Sequence, residues 1–142
     1  MTIAVDFDGT IVTDRYPQIG RELPFATETL RLLAKEGHRR ILWTVRENEA
    51  LEEAVNWCKE RGVEFYAVNR DYPEETIENN NHFSRKLKVD VFIDDRNIGG
   101  IPDWGIIYRM ISHHIPLIDI IRERLGEERK ENLPGKKHWW QF

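Results

Sequence analysis

Cysteine is nearly absent from this sequence. The one Cys58 cannot form an internal disulfide, and no Cys/His group has the spacing of a zinc site, so neither a disulfide scaffold nor a zinc fold is expected. Long apolar runs are missing as well. The longest fall far short of the ~20 residues that a bilayer demands, so no membrane partner is expected. Positive charge is not in excess: 21 Lys and Arg stand against 25 Asp and Glu, a formal net charge of -4. Nucleic acid held by bulk charge is therefore disfavoured as a partner. The N-terminus has no basic segment leading into a long apolar core, so a secretory leader is not expected and a reduced, cytoplasmic protein is. Repeats, linkers and low-complexity blocks are also lacking. The 142 residues are expected to form one domain, 1–142, of the commonest domain size. Hydrophobic residues make up 40% of the chain, enough for a core.

The stretch from Thr2 to Thr10 organises what is there. Ile3, Ala4 and Val5 form an apolar run without alternation, as in a strand covered on both faces. Asp6 and Asp8 follow at the strand's end. Two positions apart, they would share one face if the strand continued. Gly9 then allows a sharp turn.

Further along, residues 11–23 read as a loop or small hairpin beside that turn. Pro24 suits the first position of a helix whose apolar face is Ala26, Leu30, Leu33 and Ala34, with Gly37 as its C-terminal stop. Residues 40–45 read as a second strand, with Thr44 near its end. Residues 47–60 form a second helix on Leu51, Ala54, Val55 and Cys58, and 63–68 a third strand. A polar loop covers 69–84. A fourth strand over 88–93 runs into Asp94 and Asp95. One helix on Trp104, Ile107, Tyr108 and Ile111 comes next, and another over about 117–131. The tail carries Lys136, Lys137, His138, Trp139, Trp140 and Phe142, which we expect to dock on its own domain.

Strands alternating with helices imply an α/β fold. The expectation is a three-layer, Rossmann-like parallel sheet of about four strands, in order 3-2-1-4, with helices on both faces. Such sheets bind ligands at the carboxyl ends of their strands, where the direction of winding reverses. Asp6, Asp8, Thr44, Asp94 and Asp95 all fall at that edge, and Lys86 lies just before strand 4. Parallel topology thus gathers residues about 90 positions apart. Crowded carboxylates repel, by roughly 4 kcal/mol for a pair ~4 Å apart at an effective dielectric of 20. Lys86 offsets one charge. The others need a cation or raised pKa values. Oxygen ligands without His or Cys point to Mg²⁺.

The order of these residues, Asp6-Phe7-Asp8-Gly9-Thr10, then Thr44, then Lys86, then Asp94-Asp95, resembles the haloacid dehalogenase superfamily of phosphohydrolases. The likeness covers about residues 2–95 and has no room for an inserted cap domain, so it is to a minimal, capless type. It implies a Mg²⁺-dependent phosphatase acting on a phosphate monoester. Asp6 would be the nucleophile, forming an aspartyl-phosphate. Asp8 would be the general acid and then the general base. Asp6, the backbone carbonyl of Asp8 and Asp94 would ligate the metal, with Asp95 beside them or in an outer shell. Thr44 and Lys86 would hold the phosphoryl group. Arg46 and Asn97 are further candidates for outer-shell or substrate contacts. A proton donor at Asp8 suits an alcohol leaving group, hence a small phosphorylated metabolite. An open site also leaves room for a neighbouring subunit as cap, in a homo-oligomer.

Three other readings compete. A receiver domain uses similar groups, but places its acidic pair early and its phosphorylated Asp on a middle strand. Here the adjacent pair comes last, and strand 3 ends in Val68-Asn69. A non-catalytic phosphate- or metal-binding module would not need the full set of groups. A phosphatase acting on nucleic-acid ends fits an open site but not the net charge.

Overall fold

The computed structural model describes residues 1–76, 78–79 and 85–126. Four parallel strands form one sheet: β1 (Thr2–Val5), β2 (Arg39–Leu42), β3 (Ala67–Val68) and β4 (Val91–Ile93). Their order is β3-β2-β1-β4, as expected, so winding reverses between β1 and β4. Register aligns Val5 with Leu42 on one side and Ile93 on the other. The last residue of each central strand is therefore level, and the segments that leave these strand ends emerge at one edge.

Strands 3 and 4 are shorter than the apolar runs implied. Residues 63–66 and 88–90 approach the sheet outside the regular ladder, held by single bonds such as Tyr66 N–H to the Arg40 carbonyl. Strand 2 stops at Leu42, leaving Thr44 in the loop beyond it.

Four helices form on the apolar patterns already described: α1 (Ala26–Lys35), α2 (Asn48–Glu60), α3 (Trp104–Ser112) and α4 (Leu117–Arg124). Helix α1 begins two residues later than Pro24 suggested. Phe25 takes a left-handed conformation at its N-cap, and the Glu22 carboxylate accepts from the Thr27 N–H in place of a capping side chain. Both α1 and α2 end in a Schellman arrangement: His38 N–H reaches the Leu33 carbonyl, and Val63 N–H the Cys58 carbonyl. Helix α3 is capped by Asp103, which accepts from Ile106 N–H at 2.9 Å. The reading of a final helix continuing to about residue 131, and that of the Lys136–Phe142 tail, extend outside the described residues.

Helices cover the sheet less evenly than expected. Ile3, Val5, Phe7, Leu42 and Ile93 face a core shared with Leu30 and Leu33 of α1, Ala54 and Cys58 of α2, and Trp104, Ile107 and Ile111 of α3. All three helices lie on this one face. The opposite face, with Ala4, Ile41, Ala67 and Phe92, is covered among the described residues by Leu87 and Val89. Leu87 belongs to the β3–β4 connection, which crosses there because β3 and β4 sit at opposite edges of the sheet. No helix among the described residues is long and apolar enough to cross a membrane.

Candidate active site

Beyond Val5 the chain leaves the ladder in two steps. Asp6 N–H still bonds the Ile93 carbonyl at 2.9 Å, which holds Asp6 level with the end of β4. The backbone then folds back, and the N–H groups of Thr10, Ile11 and Val12 all point to the Phe7 carbonyl. Gly9 makes this turn at φ +83°, and a Cβ there would overlap the Asp95 carboxylate. Both conformation and close approach demand glycine. Residues 11–23 form the small hairpin-like loop that was expected, with Val12 bridged to Glu22.

Asp6, Asp94 and Asp95 each bring one carboxylate oxygen within 4.8 Å of the others. Thr10, fully buried, links Asp6 to Asp95. Its hydroxyl accepts from Asp95 N–H at 3.1 Å and lies 3.3 Å from both Asp6 Oδ2 and Asp95 Oδ1. Its carbonyl accepts from the buried Trp104 Nε1–H at 2.9 Å, so α3 braces the acidic turn from behind. Asp94 Oδ1 accepts from Arg96 N–H, which aims the side chain. Burial first, then the charges of Asp94 and Asp95, raise the Asp6 carboxyl to about 7 against an opposing hydrogen bond from the Phe7 backbone. The three acids suit a hard divalent cation: all donors are oxygen, and Asp6 is poorly solvated without one.

A cavity of about 920 Å³ opens over this cluster. Asp6, Asp8, Thr44, Arg46 and Asp94 all line it, so five of the eight candidate residues converge. Thr44 is set by two bonds: its N–H donates to Asn69 Oδ1 at 2.8 Å, and its hydroxyl accepts from Arg46 N–H at 3.1 Å. Asp95, the third member of the cluster, does not line the cavity and is packed against Gly9 and Thr10.

Two of these five candidates, Asp8 and Arg46, are paired with each other, and Lys86 and Asn97 lie outside the cavity lining. The Asp8 carboxylate is not among the three clustered acids; it faces Arg46, because the strand ends before Asp8 and period-two alternation stops with it. Arg46 is fully buried rather than at the surface. Lys86 is exposed, with its ammonium 5.9 Å from the Phe92 ring centroid, and its neighbours Arg85 and Leu87 line the cavity instead. Asn97 donates to the Asp94 carbonyl at 2.6 Å and lines a separate apolar cavity of about 120 Å³ behind β4, with Met110 and Ile111. Thr10, Asn69 and Arg70 join the site without having been singled out. Thr10 was visible only as part of a motif, and Asn69 and Arg70 only as the start of a loop.

Fold and site together define an α/β protein whose parallel sheet gathers carboxylates at its switch point, beneath an open polar cavity. More particularly, the chain belongs to one family with a conserved protein of Bacteroides thetaiotaomicron. The solved structure of that protein aligns with a TM-score of 0.79 at 67% identity, over 84% of this chain and 96% of that one. A Bacillus cereus protein described as "Putative nucleotidase" is 34% identical over 76 residues, or 51% of this chain. This chain spans 38% of that relative's length. No family model matches.

Proposed function

We propose that this protein is a divalent-metal-dependent phosphatase of the haloacid dehalogenase type, cleaving a phosphate monoester through phosphorylated Asp6. One observation carries the reading: the oxygens of Asp6, Asp94 and Asp95 converge within 4.8 Å, and Asp6 and Asp94 line a large cavity. The nucleotidase description of the Bacillus cereus relative supports it and puts nucleoside monophosphates among the substrates to try first.

Asp6, Asp94 and the Asp8 backbone carbonyl would hold Mg²⁺, which when bound neutralises the phosphoryl oxygens and the crowded acids. Asp6 attacks phosphorus through a carboxylate oxygen. The P–O bond to the alcohol breaks, and the departing oxygen takes a proton from Asp8. Asp8, now a carboxylate, takes a proton from water. That water attacks phosphorus, the bond to Asp6 breaks, and inorganic phosphate leaves with both acids restored. The Thr44 hydroxyl, which accepts from Arg46 N–H and keeps its own proton to donate, would orient a phosphoryl oxygen. Lys86 supplies a cation. Its present contact with Phe92 is an exposed cation–π pair worth ~0.5–1 kcal/mol, weak enough to exchange for a phosphoryl group. Catalysis rests on positioning and fixed charge more than on bond chemistry.

The test is a panel of phosphate monoesters, nucleoside monophosphates included, assayed with Mg²⁺ and with a chelator. Phosphate release that requires the metal and vanishes in Asp6→Asn and Asp94→Asn is expected. Activity indifferent to chelation, or retained in Asp6→Asn, refutes the assignment. Slow self-dephosphorylation without turnover of esters would indicate a receiver-like module instead.

A further inference from the structure

Arg46 is a guanidinium with no solvent exposure, placed in the loop between β2 and α2. A buried cation persists only where its donors are met. Here five N–H donors face five acceptors. Nε donates to Asp8 Oδ2 at 2.6 Å, and Nη2 to Asp8 Oδ1 at 2.7 Å. Nη2 also reaches the Gln18 carbonyl at 2.9 Å, and Nη1 the carbonyls of Pro17 and Ala50 at 3.0 and 3.2 Å. The Phe7 and Tyr16 rings flank it, with centroids 5.1 and 5.2 Å from Cζ. A planar fork on both oxygens fixes the plane of the Asp8 carboxyl, which a lysine could not do. The same group pins the 13–23 loop and the first turn of α2.

We propose that Arg46 is the positioning residue for Asp8, setting the orientation in which that carboxyl exchanges protons with the leaving oxygen and with water, and coupling it to the seating of the 13–23 loop. This rests on the phosphatase reading above. A carboxylate has about four lone-pair sites, and the fork occupies one on each oxygen, leaving one on each for proton exchange. All of the Arg46 donors are taken up by protein oxygens, so it acts through Asp8 and not on the ester directly. Its effect should therefore grow with the leaving group's need for a proton. A nitrophenolate departs readily as an anion, whereas an alkoxide does not.

The experiment measures kcat/KM for 4-nitrophenyl phosphate, phenyl phosphate and an alkyl phosphate with Mg²⁺. Wild type, Arg46→Lys, Arg46→Ala, Asp8→Asn and the Arg46→Lys/Asp8→Asn double variant are compared. General acid catalysis contributes typically 10²–10⁴-fold, so Arg46→Lys should lose about tenfold on the nitrophenyl ester and about 10³-fold on the alkyl ester. Asp8→Asn should steepen the series in the same way, and the double variant should steepen it no further. Millimolar guanidinium should restore part of the alkyl phosphate turnover of Arg46→Ala. An equal loss across the series, as from general loosening, overturns the proposal. So does further steepening in the double variant. If neither Arg46 variant folds, Tyr16→Ala removes one flanking ring, 56% exposed, and should steepen the series less. An unchanged series in that variant also overturns the proposal. Wild type inactive on every ester would remove the parent reading as well, an outcome distinct from a flat response to Arg46.

Discussion

Replacing Asp6 by Asn should stabilise the metal-free protein while abolishing its turnover. Asp6 ordinarily titrates near 3.8 and is raised to about 7 here, by burial foremost and then by its acidic neighbours. The native state thus holds this proton more tightly than the unfolded chain does. Its contribution is full below the unfolded value and is lost as pH rises towards the folded one. At ~1.4 kcal/mol per pH unit, the full separation would be worth about 4 kcal/mol. Asp6 is only half-buried, so solvent screening brings this to roughly 2 kcal/mol. At about 3–4 °C per kcal/mol for a chain of this size, that is ~7 °C in Tm. The assay is thermal melting of both proteins in chelator between pH 5 and pH 8. His38 also contributes to the pH dependence. Burial first, then the N-terminal charge, lowers its pKa, so it removes stability as pH falls below 6.5. That effect is common to both proteins, and the difference between them isolates Asp6. The variant should gain on wild type as pH rises, and added Mg²⁺ should cancel the gain at pH 8. Equal melting at every pH, or a less stable variant in chelator, would refute the argument that Asp6 is held there at an electrostatic cost.

Gly9→Ala should lower stability by about 1–2 kcal/mol through its left-handed backbone alone, and should weaken Mg²⁺ binding by displacing Asp95; magnesium titration followed by melting reads both. Trp104→Phe removes the donor to the Thr10 carbonyl in a buried setting and should cost about 1–3 kcal/mol in urea unfolding. That variant should also lose phosphatase activity beyond the fraction unfolded, because Thr10 positions Asp6 and Asp95.

Much of this arrangement could be read from the chain. Runs such as Ile3–Val5 and Val91–Ile93 announce strands because apolar side chains without alternation belong in a covered sheet. The acids after them announce an edge because nothing else tolerates paired carboxylates there. Topology then brings Asp6 to Asp94 without further information. Side-chain direction beyond the strand ends was not legible. Asp8 turns to Arg46 because pairing stops at Val5, and no pattern in sequence marks where a ladder stops. Arg46 itself gave no sign of burial, since a charged loop residue is usually solvated and four of its five acceptors come from two segments distant in sequence, Asp8 and residues 17–18. Lys86 lies just before strand 4 in sequence, but side-chain placement in that connection is decided by Leu87, which is buried against the sheet.

The strip around Leu87 has a bearing on how the protein comes together. Its apolar member stoppers the small-residue side of the sheet, against Ala4, Ile41 and Ala67, while Arg85 and Lys86 ride immediately ahead of it. Lys88 N–H is moored to Asp71, and the Thr2 N–H to Asp90, so the strip is tethered on the side that leads into β4. Peeling it back would wet the floor of the sheet and withdraw the cations in a single movement. If these cations serve the proposed phosphate site, anion binding would be lost with the strip, and amide exchange in β1 and β2 should quicken in step with that loss.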